Sequence, residues 1–121
     1  MKEKLILIAD DAAFMRKLIR STLLTAGYTN VIEACNGLEA VKLFASENPD
    51  LVLLDVTMPE LDGLEALKRI VAISPEAKVI MCSAIGQDGM IMDAIRSGAS
   101  EFIVKPFKKE QLIDVVTNLL G

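Results

Sequence analysis

The chain has 121 residues with 13 Lys and Arg against 17 Asp and Glu, a net charge of −4, two cysteines and no histidine. A chain of this length folds as one domain, residues 1–121, and buries roughly two thirds of the surface its unfolded form exposes, so it needs no disulfide or structural metal. The lack of histidine excludes the usual zinc-hydrolase, transition-metal and Ser-His-Asp chemistries, the scattered positive charge offers no stripe for nucleic acid, and no apolar run nears the roughly 18 residues of a membrane span.

No segment joins a basic start to an apolar run and a small-residue cleavage site, so the expected location is the cytoplasm. Cys35 and Cys82 are expected there as buried, reduced thiols.

The first apolar run, KLILIA, reads as a strand and ends on Asp10 and Asp11. A helix should follow, with Met15, Leu18, Ile19, Thr22, Leu23 and Ala26 on its buried face and Gly27 as its stop. NVIEAC is the second strand. After it, N-G-L-E places Asn36 as a helix cap with Glu39 three residues on, in the manner of a capping box. LVLL is the third strand, ending on Asp55, and D-G-L-E repeats the cap with Asp62 and Glu65 before a helix that Pro75 closes. KVIMC ends on Ser83 and precedes a helix in which Ile91, Ala94 and Ile95 should face the sheet, with Met90 and Met92 flanking them and Gly98 as the stop. EFIV ends on Lys105. The last helix, solvated at Lys108 and Lys109, buries Leu112, Val115, Val116 and Leu119.

Strand and helix thus alternate five times, the pattern of a (βα)5 α/β domain with a doubly wound parallel sheet. The order 2-1-3-4-5 suits five such strands. It makes strands 1, 3, 4 and 5 neighbours and gathers Asp10, Asp11, Asp55, Ser83 and Lys105 at one end of the sheet, where ligands of open α/β sheets bind.

Three carboxylates brought that close repel one another and call for a cation. Oxygen donors without histidine or cysteine select a hard ion, Mg²⁺ or alternatively Mn²⁺, which commonly shares its shell with a phosphate oxygen. Lys105 adds a positive charge and Ser83 a hydroxyl, and the set suits phosphoryl transfer with Asp55 as nucleophile. Taken singly, Asp10 and Asp11 could cap a helix, Asp55 could be a strand-end turn residue and Lys105 a solvated charge; their joint spacing argues for a site, whereas Ser83 could simply cap a turn and Phe102 be plain core.

DDAAFMR, LLDVTMPELDG, SAIGQ and FIVKPF resemble the receiver domain of two-component response regulators over nearly the whole chain, residues 4–120. The freestanding chemotaxis members are the most similar branch. The resemblance implies a flavodoxin-like fold with Asp55 as phosphoacceptor. It implies Mg²⁺ held by Asp11, Asp55 and the backbone carbonyl of Thr57, with Asp10 assisting through water. Ser83 becomes a switch hydroxyl, Phe102 a switch aromatic and Lys105 an ion-pair partner, with a cis peptide before Pro106. Thr57 and Ile85 stand at the positions that tune acyl-phosphate hydrolysis.

The same resemblance implies a chemotaxis histidine kinase as donor, a flagellar motor switch protein as target, any phosphatase being a separate chain, and a monomer that signals by protein contact because no output domain follows the last helix. It implies a protein that catalyses only its own phosphorylation and dephosphorylation. The alternative within the family is a single-domain receiver in a phosphorelay or another pathway. Two rivals fit less well. An aspartyl phosphohydrolase wants a second acid where Thr57 stands, and a nucleotide or flavin carrier wants a Gly-rich loop where AFM follows the first strand.

Overall fold

The computed structural model describes residues 4–84 and 88–120. Five strands and five helices alternate: β1 (Ile6–Ala9), α1 (Ala13–Thr25), β2 (Val31–Ala34), α2 (Gly37–Glu47), β3 (Leu51–Asp55), α3 (Gly63–Ile73), β4 (Val79–Ala84), α4 (Asp88–Arg96), β5 (Glu101–Lys105) and α5 (Lys109–Leu120). All pairings are parallel and the order is β2-β1-β3-β4-β5, as expected from the alternation.

Side chains of a strand point alternately to opposite faces, and both faces here are covered. Ile6, Ile8, Leu51 and Leu53 face a cluster completed by Ile19 and Leu23 of α1 and Leu112 and Val116 of α5. Leu7, Ala9, Val52 and Leu54 face the other, completed by α2 (Ala40, Phe44), α3 (Ala66, Leu67, Ile70) and Ala94 of α4. β1 and β3 are therefore buried at every position, which is why their sequences are apolar without alternation.

Helix ends follow local chemistry. Asn36 Oδ1 accepts the Glu39 N–H at 2.8 Å and Asp62 Oδ1 accepts the Glu65 N–H at 2.9 Å. The Glu39 carboxylate reaches back to the N–H of Cys35, one residue before the cap, at 2.9 Å. Gly27 (φ +93°) and Gly98 (φ +108°) end α1 and α4 in the left-handed region that a side chain disfavours. Asn36→Ala should cost about 1 kcal/mol, the usual worth of such a cap, read as a lower midpoint in a urea melt with unchanged slope.

Three expectations are corrected. Leu18 is 42% exposed, because the buried stripe of α1 runs through Met15, Ile19, Thr22 and Leu23, and Leu18 lies a turn-fraction away beside the exposed Phe14. Ile95 is 55% exposed, since only the narrow line through Ala94 meets the sheet and the next residue turns outward. Cys35 is exposed in the loop ahead of α2, whereas Cys82 is buried in the middle of the sheet. Met92 is exposed; the Met90 side chain and Ile85 lie outside the described residues. Among the described residues no helix is long and apolar enough to cross a membrane.

Candidate functional site

The carboxyl ends of β1, β3 and β5 converge on one group of charges. Register sets this: Ala9 lies beside Leu54 and Asp55 beside Cys82, so Asp10 and Asp55 leave the sheet at one level, and Lys105 at the end of β5 reaches them past Ala84. Lys105 Nζ donates to Asp10 Oδ2 at 2.8 Å and to Asp55 Oδ1 at 3.2 Å. Carboxylate oxygens of Asp10, Asp11 and Asp55 lie within 4.8 Å of one another. Asp10 and Asp55 are buried, while Asp11 is exposed at the mouth.

Asp10 has two tasks. Its Oδ1 accepts the Ala12 N–H at 2.9 Å, so it caps the entry to α1, where Ala12 itself supplies no side-chain cap, and its Oδ2 holds Lys105. The capping role and the site role are one arrangement rather than alternatives.

Among the described residues, charge here is out of balance, with three carboxylates against one ammonium. Burial pushes the Asp55 carboxyl above its ordinary range; the Lys105 charge opposes this, and the charges of Asp10 and Asp11 add to it. Burial works against the Lys105 ammonium, but the hydrogen bond to Asp10 and the charges of Asp55 and Asp10 outweigh it and raise its pKa. Lys105 therefore stays charged through the neutral range, and its contribution to stability would fade only above the ordinary lysine pKa. An oxygen-only donor set with an unmet negative charge and one carboxylate open to solvent fits a hard divalent cation such as Mg²⁺.

The remaining expected residues stand close by with less defined parts. Thr57 is exposed in the loop after β3. Ser83 is buried at the end of β4, one residue beyond the partner of Asp55, and its hydroxyl donates to the Ala84 carbonyl at 3.3 Å rather than to a carboxylate. Phe102 sits opposite Met81, half-buried, and packs on the cluster under α2, α3 and α4. The Lys105–Pro106 peptide is cis, as the resemblance implied.

Sequence reasoning did not single out Arg16 or Glu33. Arg16 belongs to the DDAAFMR run and donates to the main-chain carbonyl of Asp10 at 2.7 Å. The available signal was Glu33, a carboxylate inside the otherwise apolar second strand. Cys82 lies beneath the site, and burial pushes its thiol up to about 12, which makes it inert.

The chain is similar to known proteins over nearly its whole length. The response regulator receiver domain matches residues 6–117. A "Chemotaxis protein CheY" from Listeria monocytogenes is 54% identical over 111 residues, 92% of this chain and 93% of the relative. Another of that name, from Bacillus subtilis, is 50% identical over 116 residues, 96% of this chain and 97% of the relative. Among solved structures, the receiver domain of NtrX from Brucella abortus superimposes with a TM-score of 0.90 at 36% identity, covering 95% of this chain and 97% of that one. Sheet order, the acidic cluster bridged by a lysine, and this breadth of similarity agree, and the chain belongs to the response regulator receiver domain family.

Proposed function

We propose that this receiver is a phosphorylation-controlled switch of chemotaxis: Asp55 takes a phosphoryl group from a phosphohistidine of a chemotaxis histidine kinase, and the phosphorylated protein acts by contact with the flagellar motor switch. The observation that carries the chemistry is the lysine shared by the buried Asp10 and Asp55 beside the exposed Asp11. The pathway is supported by the chemotaxis relatives at 50–54% identity.

Lys105 engages Asp55 Oδ1, which leaves Oδ2 to form the bond to phosphorus. As that bond forms, the N–P bond of the donor breaks and its electron pair stays on the imidazole. Asp10, Asp11, Asp55 and the Thr57 carbonyl would hold Mg²⁺, which when bound offsets the negative charge of the phosphoryl oxygens. Lys105 adds the fixed charge that the protein itself supplies. Ser83, whose hydroxyl now donates to a main-chain carbonyl one residue away, would exchange that bond for one to a phosphoryl oxygen. Phe102, half-buried on the same edge of the sheet, would follow it inward and alter the face formed by α4, β5 and α5. The protein works on itself, as a cytoplasmic monomer, rather than turning over a separate substrate.

Intact mass after incubation with acetyl phosphate tests the chemistry. The wild type should gain one phosphoryl group with Mg²⁺ and none without it, and Asp55→Asn should gain none. A wild type that takes up nothing while it binds Mg²⁺ would overturn the reading. Transfer from a phosphorylated chemotaxis kinase, compared with a phosphorelay kinase, then separates the two pathways.

A further inference from the structure

The turn between β1 and α1 carries two of the three carboxylates, and its backbone is held by a side chain outside the acidic cluster. Arg16, on α1, donates from a terminal guanidinium nitrogen to the carbonyl oxygen of Asp10 at 2.7 Å. Its Nε donates to Glu33 Oε1 at 3.0 Å. Glu33 belongs to β2, in register with Ile8, and its second oxygen accepts from Arg20. Arg16 thus ties a helix, an edge strand and the site loop together.

The guanidinium is a rigid planar fork, so fixing Nε on the Glu33 carboxylate also fixes where the terminal nitrogen points. The carbonyl it holds belongs to the peptide that joins Asp10 to Asp11. The other side of that residue is already held, because the Asp10 carboxylate is occupied by the Ala12 N–H and by Lys105. Asp11 is exposed and, among the described residues, its carboxylate has no such hold of its own, so its place depends on the peptide before it. Burial disfavours the Glu33 charge, but Arg20 and Arg16 outweigh this and keep the anchor ionised.

We infer that Arg16 is a positioning residue for cation binding: anchored on Glu33, it holds the Asp10–Asp11 peptide so that the Asp11 carboxylate stays beside those of Asp10 and Asp55. This rests on the reading that the acidic cluster takes a divalent cation. Charge alone argues in the opposite direction. Arg16 is itself a cation near the site, so on simple electrostatics its removal should tighten Mg²⁺ binding. Positioning demands that its removal weaken binding, and the two signs decide the matter.

The experiment is a calorimetric Mg²⁺ titration of the metal-free protein, as wild type, Arg16→Gln, Arg16→Lys and Arg20→Gln. Loss of a partner outside the metal's own ligands commonly costs tenfold or more in affinity, so Arg16→Gln should bind roughly tenfold more weakly and Arg20→Gln within about twofold of wild type. Arg20 shares Glu33 but reaches the Val31 carbonyl, not that of Asp10. Arg16→Lys keeps the charge and loses the fork, and should be weakened as well. Without metal, amide exchange at Ala12 should quicken in Arg16→Gln and not in Arg20→Gln.

Affinity in Arg16→Gln equal to or tighter than wild type overturns the inference, as does an equal loss in Arg20→Gln. If Arg16→Gln does not fold, Arg16→Lys decides, because it keeps the charge and loses the fork: weakened affinity supports the role, and unchanged affinity refutes it. A wild type that binds no Mg²⁺ fails the underlying reading and this inference together. A wild type that binds, with Arg16→Gln its equal, fails this inference only.

Discussion

Gly63→Ala should destabilise the protein by at least about 3 kcal/mol, a fall of roughly 10 °C or more in melting temperature for a domain of this size. Gly63 opens α3, and its N–H donates to the Val56 carbonyl at 2.7 Å, which closes the loop that follows Asp55. A Cβ there would lie 1.9 Å from the Asp55 carbonyl oxygen and 2.8 Å from the Val56 Cα. These are backbone atoms of the central strand and its exit, so no side-chain rotation relieves the clash. Overpacking against movable side chains typically costs 1–3 kcal/mol, and a fixed backbone puts this case at or above the top of that range. The obstacle is the main chain of Asp55, so the shift that admits the methyl group displaces the carboxylate, and phosphoryl uptake should fall as well. Gly89→Ala is the control: an added Cβ meets nothing within 4 Å at this exposed position in the first turn of α4, and the change should be neutral or stabilising by up to about 1 kcal/mol. Thermal melts of the two variants beside wild type decide it; a Gly63→Ala protein that melts within a degree or two of wild type would show that the loop yields freely.

Asp55→Asn is expected to do the reverse and stabilise the metal-free protein by about 1–2 kcal/mol, or roughly 5 °C. Like charges with oxygens within 4.8 Å of one another repel by at least about 3 kcal/mol at an effective dielectric of about 20. The Lys105 ammonium, 3.2 Å from Asp55, offsets much of this, and the exposure of Asp11 screens part of the rest. What remains, with the cost of burial, raises the Asp55 pKa. A raised carboxyl pKa means that the folded chain binds a proton the unfolded chain has released, so stability falls as pH rises through that window. The advantage of Asp55→Asn over wild type should therefore open as pH climbs from about 4, where a free aspartate ionises, through the folded-state value, and close below it. Mg²⁺ reverses the comparison. Binding to the folded state alone stabilises the wild type by roughly 2.7 kcal/mol at a hundred times its dissociation constant, and Asp55→Asn should lose most of that gain. Melting scans at several pH values, with and without Mg²⁺, check both halves. An Asp55→Asn protein less stable than wild type without metal would contradict the electrostatic account.

Most of the frame can be read along the chain because covered faces leave a local signature. LVLL before Asp55 is apolar at successive positions, which only a strand buried on both sides requires, and Asn36 and Asp62 cap helices whose first turns lie next to them in sequence. Asp10, Asp55 and Lys105 were visible because a charge has no use inside such a strand and must mark its end. Leu18 and Ile95 were misplaced for a related reason: the apolar period of a helix says that one side is buried but not how wide a stripe its neighbours cover. Cys35 was misplaced because burial was assigned by residue type, while the loop ahead of α2 carries it outward.

Local sequence therefore settled the elements, their alternation and the charged strand ends, since each depends on residues adjacent along the chain or one turn apart. The expected strand order already gathered Asp10, Asp55 and Lys105 at one end of the sheet; the tertiary structure alone decided which atoms meet and how closely. Lys105 joins Asp10 and Asp55 across 95 and 50 residues, Arg16 finds Glu33 across 17, and Gly63 is packed against the Asp55 carbonyl. Those contacts exist only once parallel pairing has set the strand register, because crossover connections of very different length bring the ends of β1, β3 and β5 to one level, and no local pattern of residues encodes that distance.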